Sequence, residues 1–345
     1  MRYVDSIFPV VVVLSIAGSA AVRSGADGPV FIHAQRYAMG TMFDIAAYHP
    51  ARAQAERAIE AALAEIVRLD HVLSHFDPES DLSRLVRRGR GVLVDVDPAL
   101  YDVLNESMEI SRRSGGSFDV TVGPLVRVWQ TAQTGGQAPS ANAIAKARRC
   151  VGFEKVRLVP PDRVQLASDC VSIDLGGIGK GYAVERALQI LHGAGLEHAV
   201  VNAGQSSIAA IGRPPDRDGW LVDLNVDGSG LGRIELHDGA ISTSRQGHLP
   251  LRDGGVAYGD IIDPARGRPV ESSTTVIVRA ASATQADALS TTLLLLPIDE
   301  GKRVLEGFPR ASALWISADG KVLGRHRDVF RTASFVGWGA APVKR

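Results

Sequence analysis

The chain has 345 residues, 45% of them hydrophobic and 22% charged, which excludes a peptide, a tail or a disordered linker and leaves room for a large buried core. Lys and Arg together number 38, and so do Asp and Glu, so no overall positive field exists to hold nucleic acid. Thirty-six glycines against 6% aromatic residues point to many tight turns and close backbone approaches.

At the N-terminus, Arg2 precedes an apolar run from Ile7 to Ala17, and Ser19-Ala20-Ala21 offers the small residues of a cleavage site. Residues 1–21 therefore read as a secretory signal, too short to span a bilayer, with no cysteine nearby for lipid attachment. The expected mature protein is periplasmic, with no stable membrane insertion. Residues 30–340 read as one domain, with two intertwined subdomains as an option.

Ile59, Leu63, Ile66, Leu69 and Leu73 recur at helical spacing, with Arg52, Glu56, Arg57, Glu60 and Arg68 on the wet face, predicting a helix over 55–73. A second helix begins after the cap Asp97-Pro98 and stops at Gly115-Gly116. Thr131 to Ser140 is the most loop-like interior stretch. Residues 155–175 alternate around Pro160-Pro161-Asp162, predicting an antiparallel pair. Cys150 and Cys170 bracket it and are either a disulfide or two half-buried thiols. Further strands are expected near 199–201, 220–226, 233–236, 275–280 and 312–316, with a hairpin turn at Asp319-Gly320. Helices mixed with antiparallel strands predict an α+β fold.

Two segments carry the chemistry. Ile173-Asp174-Leu175-Gly176-Gly177-Ile178-Gly179-Lys180-Gly181 reads as a strand, a glycine loop and a helix start. Missing β-carbons let backbone amides approach an oxyanion, the helix N-terminus favours negative charge, and Lys180 adds a full positive one. A structural turn with an exposed lysine is the alternative. On the second segment, a helix capped by Ser282 or Thr284, Asp287 and Thr291 stand four apart on one face. Hard oxygen ligands there suit Mg²⁺ with phosphate and water completing its shell. The alternative is an Asp favouring the helix dipole and a Thr bonded to its own backbone.

Met39-Gly40-Thr41, Gly116-Ser117-Phe118-Asp119 with Val122-Gly123-Pro124-Leu125, Asp174 to Ala183, Ile261-Ile262-Asp263-Pro264 and Ala286-Asp287-Ala288-Leu289-Ser290-Thr291, in this order, resemble the ApbE family of FAD:protein FMN transferases. The resemblance implies a T-fold-related α+β architecture with FAD in a cleft and Mg²⁺ beside its diphosphate. Carried over, Met39, Phe76, Ser117, Phe118, Asp119, Asp174, Lys180 and Ile261 would line the FAD site. Asp287, Thr291 and the Gly177 carbonyl would bind the metal. The implied reaction moves FMN from FAD to a Thr or Ser hydroxyl of a target protein and releases AMP. Family acceptors are extracytoplasmic FMN-carrying subunits of membrane redox proteins, such as those of sodium-pumping NADH:quinone reductase. Asp260 stands where many members have a His before Ile-Ile-Asp-Pro, and with Lys180 it forms the expected catalytic pair. Gln205 and Arg245 stand where glycines are usual. A non-catalytic periplasmic FAD-binding protein and an FAD hydrolase giving FMN and AMP are the alternatives.

Overall fold

The fold, taken from a computed structural model, is described for Val13–Leu14 and for residues 28–327, apart from residues 205, 227–228, 247–251, 254–255 and 258. The expected signal segment thus lies outside the described residues except at Val13–Leu14 (β1). In chain order there follow β2 (Val30–Ala38), β3 (Thr41–His49), α1 (Arg52–Leu73), α2 (Asp81–Arg88), β4 (Val94–Asp95), α3 (Pro98–Arg113), α4 (Gly123–Gly135) and α5 (Ala141–Arg148). Then come β5 (Val156–Val159), β6 (Arg163–Leu166), α6 (Gly179–Gly193), β7 (Ala199–Ala203), β8 (Ser207–Ile211), β9 (Trp220–Val226), β10 (Ser229–Leu236) and β11 (Gly239–Arg245). The short pairs β12 (Arg252–Asp253) with β13 (Val256–Ala257) and β14 (Ile262–Asp263) with β15 (Arg268–Pro269) lead to β16 (Thr275–Ala280), α7 (Ala283–Leu295), α8 (Ile298–Glu306), β17 (Ser312–Ile316) and β18 (Val322–His326).

Eight strands form one sheet in the order β18-β17-β16-β11-β8-β7-β3-β2, antiparallel at every pairing. Its central strands are apolar on both faces because both are covered. Phe43, Ile45, Val201, Val276, Val278 and Trp315 join the core under α1, α6 and α7, whereas the alternate residues Ala46, Val200, Ile277 and Leu314 pack with Trp220, Val222 and Ile234 of the β9/β10 hairpin. The period of two along each strand thus feeds two separate cores. Each fully buried aliphatic side chain there contributes about 1.5–3 kcal/mol.

The helix at Asp97-Pro98 starts as its cap requires, with the Asp97 carboxylate accepting the Ala99 amide at 2.8 Å. β5 and β6 pair antiparallel around Pro160-Pro161, and β17 turns into β18 at Asp319-Gly320, both as expected. Cys150 and Cys170 form a disulfide with Cα atoms 5.4 Å apart.

Two expectations are corrected. The stretch 131–140 is helical through Gly135, because α4 runs on from Pro124 in its first turn and ends at Gly136, a left-handed residue (φ 69°). No strand precedes the glycine loop: Ser172 makes a single parallel bridge to Val122, and the Asp174 amide donates to the Val120 carbonyl at 2.7 Å. The chain then turns, because the Asp174 carboxylate accepts the Gly176 amide at 2.8 Å, which ends the extended run.

Candidate active site

A cleft of about 410 Å³ opens where three distant stretches meet. Ser117, Phe118 and Asp119 form one wall, Asp174, Gly176, Gly177 and Lys180 a second, and Asp287 and Thr291 of α7 a third. Ser244 and Arg245 at the end of β11, and Asp260, Ile261 and Pro264, close it. A second pocket of about 280 Å³, lined by Met39, Leu73 and Phe76, adjoins the first, and His75, Gly176 and Lys180 line both. All residues expected from the sequence therefore fall on one continuous depression, with Met39 and Phe76 at its apolar end.

The glycines are where they are because helices approach closely. A β-carbon on Gly181 would lie 2.4 Å from the Ala283 carbonyl oxygen and 2.5 Å from the Asp287 Cβ, and one on Gly177 would lie 3.2 Å from Thr291. The first turn of α6 thus abuts α7, and the Gly181 amide donates to Asp287 Oδ2 at 2.8 Å. Helix α6 has no side-chain cap; its Gly179 amide donates to the Leu175 carbonyl at 2.8 Å and its Gly181 amide to Asp287, which leaves the Lys180 amide of the first turn for a ligand.

Asp287 is 4% exposed and accepts a second bond, from Ser242 Oγ to Oδ1 at 3.1 Å. No Lys, Arg or His side chain pairs with it among the described residues. A buried carboxylate without a countercharge is costly, so the site suits a cation. Ser244 Oγ lies 3.2 Å from Thr291 Oγ1 and 2.6 Å from Ser290 Oγ, which fixes the threonine hydroxyl. Carboxylate, hydroxyl and the nearby Gly177 backbone are hard oxygen donors of the kind Mg²⁺ takes. Among the described residues no cluster of three His, Cys, Asp or Glu side chains exists, so such an ion would complete its shell with phosphate oxygens and water.

Asp119 has a structural task as well: its Oδ1 accepts the Thr121 amide at 2.8 Å and the Thr121 hydroxyl at 2.6 Å. Burial pushes its carboxyl up, and the Thr121 bonds oppose the shift. Arg127 on α4 donates to Ser172 Oγ at 2.5 Å; burial lowers its guanidinium pKa, opposed by the Asp174 charge. Met39 is a non-glycine residue at φ 49° in the β2/β3 turn, followed by Gly40 at 73°.

Three contributors were not anticipated. Ser242 and Ser244 alternate on β11 and so share the face toward α7, a pattern visible in Ser242-Thr243-Ser244. His75 gives no signal in the sequence, since its place depends on how the chain leaves α1.

The family model described as the ApbE family matches residues 39–315, a span that includes every element of the cleft. The chain belongs to the ApbE family. The FAD:protein FMN transferase of Treponema pallidum is 28% identical over 330 residues, covering 89% of this chain and 88% of that protein. The solved ApbE protein of Thermotoga maritima superposes with a TM-score of 0.74 at 28% identity, covering 86% of this chain and 97% of that one. The flavin transferase ApbE of Vibrio cholerae gives 0.73 at 25% identity, with the same coverage. The α+β architecture of ApbE structures is therefore the architecture of this chain.

Proposed function

We propose that this ApbE-family chain is a Mg²⁺-dependent FAD:protein FMN transferase that moves FMN from FAD to a Thr or Ser hydroxyl of an extracytoplasmic acceptor protein and releases AMP. The observation that carries the reading is the convergence of Gly177 and Lys180 with Asp287 and Thr291 on one cleft.

FAD is the substrate; its diphosphate would lie against the first turn of α6 and its flavin toward Met39 and Phe76. Phe76 is 79% exposed, so a ring is available to stack on the isoalloxazine. Ser117, Phe118, Asp119, Asp174 and Ile261 shape the remaining walls. Asp287, Thr291 and the Gly177 carbonyl would hold Mg²⁺, which supplies positive charge to the phosphoryl oxygens when bound. Lys180, which lines the same cleft, would stabilise charge that builds on the phosphoryl oxygens as the acceptor oxygen attacks. The acceptor hydroxyl must lose its proton, and the cleft offers Asp260 on one wall and His75 on another.

Export is part of the reading. The apolar run at 7–17 and the Cys150–Cys170 disulfide both suit an oxidising, extracytoplasmic compartment. Among the described residues no helix is long and apolar enough to cross a membrane.

Incubation with FAD, Mg²⁺ and a domain that a related FAD:protein FMN transferase modifies should add one FMN to that domain and yield AMP. Asp287→Ala should abolish the transfer and the response to Mg²⁺ together. AMP produced without the domain would instead mark a hydrolase, and intact bound FAD would mark a binding protein.

A further inference from the structure

Resting on the transfer reaction above, we propose that His75 takes the proton of the incoming hydroxyl. Of the groups in the cleft, Lys180 and Arg245 are cations and cannot accept it. The carboxylates are already engaged. Asp287 receives Gly181 and Ser242, Asp119 receives Thr121 twice, Asp174 receives Gly176, and Asp260 has a partner of its own. Among the described residues His75 is the imidazole that lines the cleft, and its ring nitrogens carry no hydrogen bond or ion pair there.

Its place is fixed by bonds that its neighbours make, not by bonds of its own ring. The residue follows the end of α1, where Ser74 Oγ accepts the amides of Phe76 at 3.2 Å and Asp77 at 3.1 Å, and the Ser74 carbonyl accepts Ser80 Oγ at 2.6 Å. The Phe76 ring packs on the imidazole with centroids 3.8 Å apart. His75 therefore lines both pockets together with Gly176 and Lys180, where the flavin and diphosphate parts of a bound FAD would meet. An acceptor side chain that enters the cleft at this junction would meet the imidazole beside the FMN-side phosphorus.

In the step, the acceptor O–H bond breaks as its oxygen bonds to the FMN-side phosphorus, and the proton passes to an imidazole nitrogen. The bond from that phosphorus to the bridging oxygen breaks, and its electron pair leaves with AMP. The charged groups that share a pocket with His75 are Asp70 in the side pocket, Lys180 in both pockets, and Asp119, Asp174, Arg245, Asp260 and Asp287 in the main cleft.

The test uses the full mature chain with FAD, Mg²⁺ and the same acceptor domain, following FMN transfer by mass across pH. His75→Gln should lower kcat by about 10²-fold or more, the usual worth of a positioned base, and flatten the acid limb of the profile. FAD affinity of the variant, measured by flavin fluorescence without Mg²⁺, should stay within about threefold, which separates proton transfer from stacking. A variant that transfers within about threefold of wild type with an unchanged pH profile would overturn the assignment, as would a loss confined to FAD affinity. A matching loss in Asp260→Asn alone would move the role to Asp260. Wild-type protein that transfers nothing would sink the transfer reading itself, a result distinct from all of these.

Discussion

Gly181 and Asp287 are 106 residues apart in the chain, yet the amide of one donates to the carboxylate of the other at 2.8 Å. The contact is possible because Gly181 has no side chain. Gly181→Ala gains about 1 kcal/mol of helix propensity but places a methyl 2.4 Å from a backbone oxygen that cannot step aside. Overpacking of this kind costs about 1–3 kcal/mol or more, so the clash wins. The variant should unfold at lower urea and require more Mg²⁺ for half-maximal FMN transfer; equal midpoints for variant and wild type would contradict the packing.

Met39 holds a left-handed backbone conformation with Gly40 behind it, the pair of positive φ values that Asn-Gly turns favour. Met39→Asn should raise stability by about 0.5–1 kcal/mol, since the conformation suits Asn better than an unbranched apolar side chain. Because Met39 also lines the apolar pocket, the same change should weaken FAD binding. Urea denaturation and flavin fluorescence on one preparation read both effects, which run in opposite directions.

The disulfide joins residues 20 apart in sequence, and closing such a loop is worth about 3 kcal/mol. A Cys150→Ser, Cys170→Ser double variant should lose about that much stability. FAD affinity should fall less than tenfold, because Asp174 keeps its own backbone bond to Val120 and Ser172 its bridge to Val122. Thermal unfolding and equilibrium FAD binding under non-reducing conditions check the two halves separately.

On α3, burial pushes the Glu106 carboxyl up to about 7, helped by the nearby charges of Glu185 and Asp102. Between the ordinary glutamate range near pH 4.3 and pH 7, the folded state therefore holds a proton that the unfolded state has lost. Stability from this group declines as pH rises through that window. Glu106→Gln removes the penalty. After allowance for partial exposure, the variant should exceed wild type by about 1–2 kcal/mol at pH 8, with the difference vanishing near pH 4. Urea midpoints at the two pH values decide it.

The sequence showed the parts of this site better than their arrangement. Strands such as Thr275–Ala280 and Ser312–Ile316 were legible because β-branched and apolar residues run unbroken between turn signals, and Asp97-Pro98 marked α3 by cap chemistry. Asp287 and Thr291 were legible as a pair because helical spacing is local. The covering of both sheet faces was not, since the alternation in β7 is apolar against apolar and only the β9/β10 hairpin reveals the second core. Helix α4 was hidden because its C-terminal half falls in the loop-like stretch from Thr131, while Pro124 serves in its first turn. His75 was invisible because nothing local distinguishes it from an ordinary surface imidazole.

The eight strands lie side by side in the order in which they occur in the chain. No strand has to be slipped between two that are already paired. A polypeptide emerging from a ribosome or a translocation pore can add each new rung to a waiting edge, starting from the β2/β3 hairpin. The cleft is then completed late, when α7 docks on the face that earlier strands have laid down, so an unfinished chain lacks the wall that carries Asp287 and Thr291.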